Sequence, residues 1–301
     1  MRSLNFTTRQ TSKKAKVKWQ KSGFIFTFYL LLFTFYFSPI AAQKVAILTP
    51  EKAAASLNFA EKLQSKLAEK LTVLDDSLSE AAYLSSSPAT PFNLTSEESK
   101  KIGSAIGCDF FILLKAANQR RSAFQHPEYY ESYAVIYVVS ARTGRLIAWK
   151  LPRFEAAKPS ESEKLLTRSV AATALEIEDN IRAAMKKELA EPNAPLMEDV
   201  PDENSPAAKN FRSPIPYRRI KPEYTSEAAL YDIKATVDIL VDLDSNGTIL
   251  RTEIVRWAGY GLDESVEKTV RQMNWRPAER NGKTLPMRFL LRYNFKKVEK
   301  E

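Results

Sequence analysis

Cysteine and histidine are almost missing from this sequence. There is one of each, Cys108 and His126, in 301 residues. A single thiol excludes a disulfide within the chain, and the pair excludes a metal site built on Cys or His clusters. Glycine is scarce, at eight residues, and no Gly-rich phosphate loop or Ser/His/Asp set can be read from the chain. The expectation is therefore no enzyme, no cofactor and no metal. Cys108 opens an apolar run and reads as a small buried hydrophobe, not a reactive thiol. His126, beside Pro127 in a polar stretch, reads as a surface-loop residue.

Acid is missing from residues 1–22, which carry Arg2, Arg9, Lys13, Lys14, Lys16, Lys18 and Lys21. Those seven account for most of the formal net charge of +9 and leave +2 for the rest. A nucleic-acid-binding fold needs a basic face of its own, so nucleic acid is excluded as a partner. Charge is then absent from Gly23 to Phe37, and Ser38-Pro39-Ile40-Ala41-Ala42-Gln43 follows. Two readings stay open for 23–42. One is a signal peptide cleaved near Ala42; the other is a single-pass anchor of ~20 residues. Under both, 1–22 stays cytoplasmic and the chain from residue 44 onward is exported.

Residues 44–190 read as an α/β domain with a mixed sheet. Lys44–Leu48 is a short buried strand. Thr49 and Pro50 are expected to cap a helix whose apolar face is Ala53, Leu57, Ala60, Leu63, Leu67 and Leu71. Thr72–Leu74 is a second strand, and Asp75-Asp76 a turn or helix start. Thr95 and Glu98 form a capping box for a helix ending near Gly107. Cys108–Leu114 is an apolar run expected to be buried on both faces. Tyr133–Ser140 and Arg145–Phe154 read as a strand pair turning at Arg142-Thr143-Gly144. A long helix then places Leu166, Val170, Ala174, Ile177, Ile181 and Met185 on one face. Tyr129, Tyr130, Tyr133 and Tyr137 read as β-strand enrichment. The run "IGCDFFILL" and the closing "TGRLIAW" loosely resemble the N-terminal domain of TolB and the CsgG-like envelope proteins, and no functional residue carries over.

Residues 191–211 form a Pro-rich linker. The prolines recur from Pro192 to Pro222 with no helical or strand period, and a spacer of this kind reaches on the order of 100 Å when extended. Its acidic first half (Glu191, Glu198, Asp199, Asp202, Glu203) gives way to basic residues (Arg212, Arg218, Arg219, Lys221).

Residues 212–301 read as β-β-α-β. Val237, Ile239, Val241 and Leu243 alternate with Asp238, Leu240 and Asp242. Asp244-Ser245-Asn246-Gly247 is a hairpin turn. Leu262, Val266, Val270 and Met273 share a helix face that Pro277 is expected to stop. The last strand alternates from Leu285 to Phe295. The series Pro222-Glu223-Tyr224, Asp244-Ser245-Asn246-Gly247, Leu262-Asp263, Trp275-Arg276-Pro277-Ala278 and Asn281-Gly282-Lys283 resembles the TonB C-terminal domain family over roughly 212–297. The fold class expected for the whole is α+β.

This resemblance implies a periplasmic energy transducer or adaptor, linked to transmembrane transport, that takes a strand from an outer-membrane transporter or another envelope protein. The alternative is a secreted periplasmic scaffold or assembly factor that docks through the same domain without energy coupling. The contact is placed on Met287, Arg288, Phe289, Leu290, Leu291, Arg292 and Tyr293, assisted by Arg212, Arg218 and Arg219. Inner-membrane motor subunits and a second copy of the chain are further candidate partners, and the inner membrane itself is one if 23–42 is retained. Two features depart from the family. Tyr231-Asp232-Ile233 stands where a Gly usually precedes the first strand. No histidine occurs before His126, whereas motor-coupled members carry one on the membrane helix.

Overall fold

The computed structural model describes residues 43–86, 88–123, 126–191 and 197–297. The signal-or-anchor reading of 23–42 lies outside the described residues. Among those described, no helix is long and apolar enough to cross a membrane.

Strand β1 (Lys44–Leu48) enters as expected. Helix α1 runs Ala54–Leu67 and begins later than the Thr49-Pro50 signal suggested. Its N-cap is Ala53, with no side-chain cap. The buried face also differs: Ser56, Phe59, Leu63 and Leu67 face inward, while Leu57 is 47% exposed. Ser56 causes the rotation, because its hydroxyl accepts the Ala116 N–H (2.9 Å) and donates to the Ala116 carbonyl (3.1 Å), tying that face to the sheet.

Strand β2 (Thr72–Val73) leads to α2 (Asp76–Ser86), where the Asp75 carboxylate accepts the Leu78 N–H. Helix α3 (Ser96–Ile106) has the Thr95/Glu98 capping box and ends on Gly107 in the left-handed region. Strands β3 (Phe110–Ala123) and β4 (His126–Ser140) form one long antiparallel hairpin. His126 thus starts a strand and does not sit in a loop. The expected Arg145–Phe154 strand is two pieces, β5 (Leu146–Lys150) and β6 (Arg153–Ala156), interrupted at Pro152, which has no N–H for the ladder. Helix α4 spans Pro159–Ala190.

The sheet order is β2-β1-β3-β4-β5, with β6 also on β4, and β1 runs parallel to both neighbours. On one face, Ile47, Ile112, Leu114 and Ile136 pack under α1 and α4. The opposite face carries Phe111, Leu113, Tyr133, Val135, Tyr137 and Val139. It is covered partly by Ile102 of α3 and Leu94, and otherwise by residues from the far end of the chain: Trp257, Ala258 and Tyr260.

Those residues belong to the second half. Short strands β7 (Phe211–Arg212) and β8 (Ile215–Pro216) and helix α5 (Ser226–Leu230) precede β9 (Ala235–Leu243) and β10 (Ile249–Arg256). Helix α6 covers Leu262–Gln272. It stops ahead of Pro277, because Trp275–Arg276 form strand β11 against Ile215–Pro216. A tight hairpin, β12 (Ala278–Arg280) and β13 (Lys283–Leu285), leads into β14 (Met287–Phe295). The main sheet is antiparallel in the order β10-β9-β14, with Val237, Ile239, Val241 and Leu243 buried in the core with α6 residues Leu262, Val266 and Val270.

Both halves lie in one compact unit from Gln43 onward. Tyr137 packs on Trp257 (ring centroids 5.3 Å) and Trp149 on Tyr260 (4.8 Å). The Asn93 amide donates to the carbonyls of Thr236 (2.8 Å) and Trp257 (2.7 Å), and its oxygen accepts the Thr236 N–H. Buried Glu131 accepts from Gln119, Arg121 and the Tyr231 hydroxyl. Burial works against its charge, but these three donors hold its pKa below the usual carboxylate range. The described part of the expected 191–211 spacer, from Met197 to Phe211, instead lies along the second half through β7 and a contact described below.

Asp232 answers the departure at Tyr231-Asp232-Ile233. Its φ is +51°, the left-handed conformation that glycine adopts without a Cβ penalty. Asp232→Gly is expected to stabilise the protein by up to about 1 kcal/mol, read as an upward shift of the urea midpoint. A destabilised variant would show that the aspartate side chain outweighs the backbone strain.

Candidate partner-docking edge

Strand β14 is alternating, and its alternation divides the expected contact residues. Met287 and Phe289 point into the core, Phe289 against Trp275 at 5.0 Å, so their side chains are closed to a partner. Leu291 and Tyr293 are half-buried on the same side. On the other side Leu290 is 49% exposed between two arginines. Arg288 makes a two-pronged ion pair with Asp242 (2.6 and 2.8 Å), and Arg292 does the same with Asp238 (2.7 and 2.9 Å). Arg256 of β10 adds a third guanidinium, on Asp238 at 3.2 Å. Both aspartates are only 3% exposed, and such charges are tolerated inside a fold when paired and hydrogen-bonded. The bonds to Asp242 and Asp238 raise the pKa values of Arg288 and Arg292 further above the ordinary arginine value.

The outer edge of β14 has no further strand in the sheet order. At Arg288 it is nevertheless paired. The Arg288 N–H donates to the Glu198 carbonyl (2.8 Å), and the Val200 N–H donates to the Arg288 carbonyl (2.9 Å), with Asp199 opposite Arg288 in parallel register. Outward-facing groups recur every second residue along an antiparallel strand. Leu290, Arg292 and Asn294 therefore turn their backbone N–H and C=O the same way as Arg288.

The other expected contact residues divide as well. Arg219 lies close enough to Tyr293 for its charge to oppose the rise that burial imposes on the tyrosine pKa. Arg218 is exposed in the same stretch. Arg212 stands apart on β7, 69% exposed and 3.5 Å from Glu279. Three features went unread in the sequence: the pairing of Glu198–Val200, the Arg280 guanidinium holding the Glu198 carboxylate (2.5 Å), and the aspartate layer under β14. The last had a signal, since Asp238 and Asp242 share the two-residue period of Arg288 and Arg292 with opposite sign.

At the start of α6 the Asp263 carboxylate accepts the N–H groups of Ala258 and Gly259, each at 2.9 Å. Burial pushes its pKa up to about 7, against the two N–H bonds that lower it. It thereby fixes the turn that meets the first half.

Residues 220–296, which hold β9, β10, α6 and β14, match a protein-family model described as Gram-negative bacterial TonB protein C-terminal. Residues 220–296 form a TonB C-terminal domain. The match covers these residues and not the rest of the chain. Solved structures similar to the chain include the Pseudomonas aeruginosa TonB C-terminal domain, at 21% identity, 35% of this chain, 97% of that chain and a TM-score of 0.26. A hypothetical protein from Chlamydia trachomatis is 14% identical over 44% of this chain and 95% of its own, with a TM-score of 0.32. A lipoprotein from Neisseria meningitidis is 14% identical over 46% and 99%, with a TM-score of 0.30. No curated protein matches the chain.

Proposed function

We propose that the chain is a periplasmic TonB-family adaptor or energy transducer that binds an outer-membrane partner by accepting a strand on the outer edge of β14, in the service of transport. The observation that carries this reading is the run of outward backbone groups at Leu290, Arg292 and Asn294 beyond the last strand of the sheet. Main-chain hydrogen bonds supply affinity in such an addition, and alternate side chains supply selectivity. Arg292, Leu290 and Arg219 are the side chains placed to select. A second copy of the chain offers the same kind of edge and is the competing occupant.

A docking role without energy coupling is favoured by one feature: no histidine precedes His126, so the motor contact expected of coupled members has no counterpart. The N-terminal sequence and intact mass of protein from fractionated cells separate the two. A chain starting at Met1 in the inner membrane supports coupling, and a soluble chain starting near Gln43 supports docking alone.

Strand addition is tested by a photo-crosslinking residue in place of Leu290 in cells, with Leu250 on β10 as control. Leu290 is expected to yield an adduct with an outer-membrane protein and Leu250 none. Absence of any adduct at 290, or equal yield at both positions, removes the strand-addition reading.

A further inference from the structure

The outer edge of β14 is already partly occupied by the protein itself. We propose that Glu198–Val200 is a resident strand that competes with the partner for this edge, and that the partner segment is an acidic extended peptide of the same character. This rests on the strand-addition reading above and adds its regulation and the chemistry of its ligand.

The resident segment is held by few contacts. Two backbone hydrogen bonds join it to Arg288 (2.8 and 2.9 Å). One ion pair anchors it, Arg280 to Glu198 at 2.5 Å, with Glu198 53% exposed. Arg280 is pre-positioned on β12, its guanidinium lying over the Phe211 ring at 5.6 Å. Val200 packs at the rim of the core. Pairing goes no further, since Pro201 follows at once and proline brings no N–H and a fixed φ. A short strand held by two backbone bonds and an exposed ion pair is displaceable, because such ion pairs contribute little in water.

Charge indicates what displaces it. On the face beside β14, Arg256 and Arg292 share Asp238 while Arg288 holds Asp242 and also feels Glu253, and Arg292 stays 56% exposed. Arg219 stands by Tyr293, and Arg280 is already matched to an acid. The resident segment answers this field with Glu198 and Asp199, and Asp199 adds to the charge around Arg288. An incoming strand that runs past Arg288 to Leu290 and Arg292 meets the same basic surroundings, which favour acids at its alternate positions.

The test uses the full chain and, as probe, a fluorescent peptide copying residues 197–203, Met-Glu-Asp-Val-Pro-Asp-Glu. Val200→Pro removes one of the two backbone donors. It is expected to speed exchange of the Arg288 amide at least tenfold and to tighten binding of the probe at least tenfold. The same peptide with lysine at its first two acidic positions is expected to bind at least tenfold more weakly. Glu198→Lys in the protein, which leaves the backbone intact, should move exchange and binding in the same direction and guards against a folding defect in the proline variant. Unchanged Arg288 exchange in both variants overturns the resident strand. Unchanged probe affinity overturns the competition, and equal binding of the lysine peptide overturns the preference for acid. If exchange and probe binding respond as expected while Leu290 gives no adduct in cells, the resident strand stands and the strand-addition function fails.

Discussion

Tyr137→Ala is expected to destabilise the protein by about 3–5 kcal/mol, the usual cost of deleting a buried aromatic ring. Both halves should lose stability together. The Tyr137 side chain is 2% exposed and lies between Phe92 (5.7 Å) and Trp257 (5.3 Å), one ring from each half. Its hydroxyl donates to the Ala258 carbonyl at 3.2 Å. The neighbouring Gly259 permits this closeness. A Cβ at that position would sit 2.5 Å from Trp149 and 2.9 Å from Tyr137, and its φ is +71°. Urea unfolding followed by tryptophan fluorescence and by circular dichroism should give one coincident transition, shifted to lower urea. Tyr137→Phe keeps the ring and should cost only about 1 kcal/mol, one hydrogen bond. Two separate transitions, or a loss below about 1 kcal/mol for the alanine variant, would show that the shared core does not couple the halves.

Asp238→Ala should cost about 3 kcal/mol, the low end for removing one partner of a buried ion pair. Asp238 is the acceptor for two guanidinium groups, Arg256 and Arg292. Arg292 is 56% exposed and can turn to water, but the Arg256 side chain is 22% exposed and stays beside the lost carboxylate. The same urea experiment checks it, and adding Arg256→Met to Asp238→Ala should recover part of the loss. A single variant as stable as the parent would mean that the arginines need no counter-charge there.

Much of the architecture can be read from the chain because local rules and tertiary packing agree. The Thr95/Glu98 box, the alternation along Val237–Leu243 and Met287–Phe295, and the turns at Asn246-Gly247 and Asn281-Gly282 all sit where periodicity and capping put them, while Leu285, expected on the last strand, ends β13 ahead of Pro286. The failures share a cause. Helix α1 is rotated by Ser56, whose partner is Ala116, sixty residues away. Trp275–Arg276 leave the helix because Ile215–Pro216 offer a strand. Tyr133 and Tyr137 read as ordinary strand residues, since nothing local says that Trp257 and Tyr260 will cover them. At the candidate edge, the alternation of β14 was legible, and with it the basic side chains. The pairing of Glu198–Val200 was not, because a proline-rich stretch carries no period that reveals a strand of two or three residues. The backbone demand at Asp232 was visible only as a missing glycine.

The covering of the β3–β4 face by the C-terminal turn also sets a timetable. Tyr137 leaves the ribosome 120 residues before Trp257, its packing partner. At roughly 5–20 residues per second, Val135, Tyr137 and Val139 wait about 6–24 seconds for the turn that covers them. In a chain exported as it is made, that interval lets β1, β3 and β4 close beneath α1 and α4, while an apolar sheet face remains open to any other chain. A holding chaperone therefore has a defined target, the 133–139 stretch, and a defined moment of release, when residues 257–263 arrive.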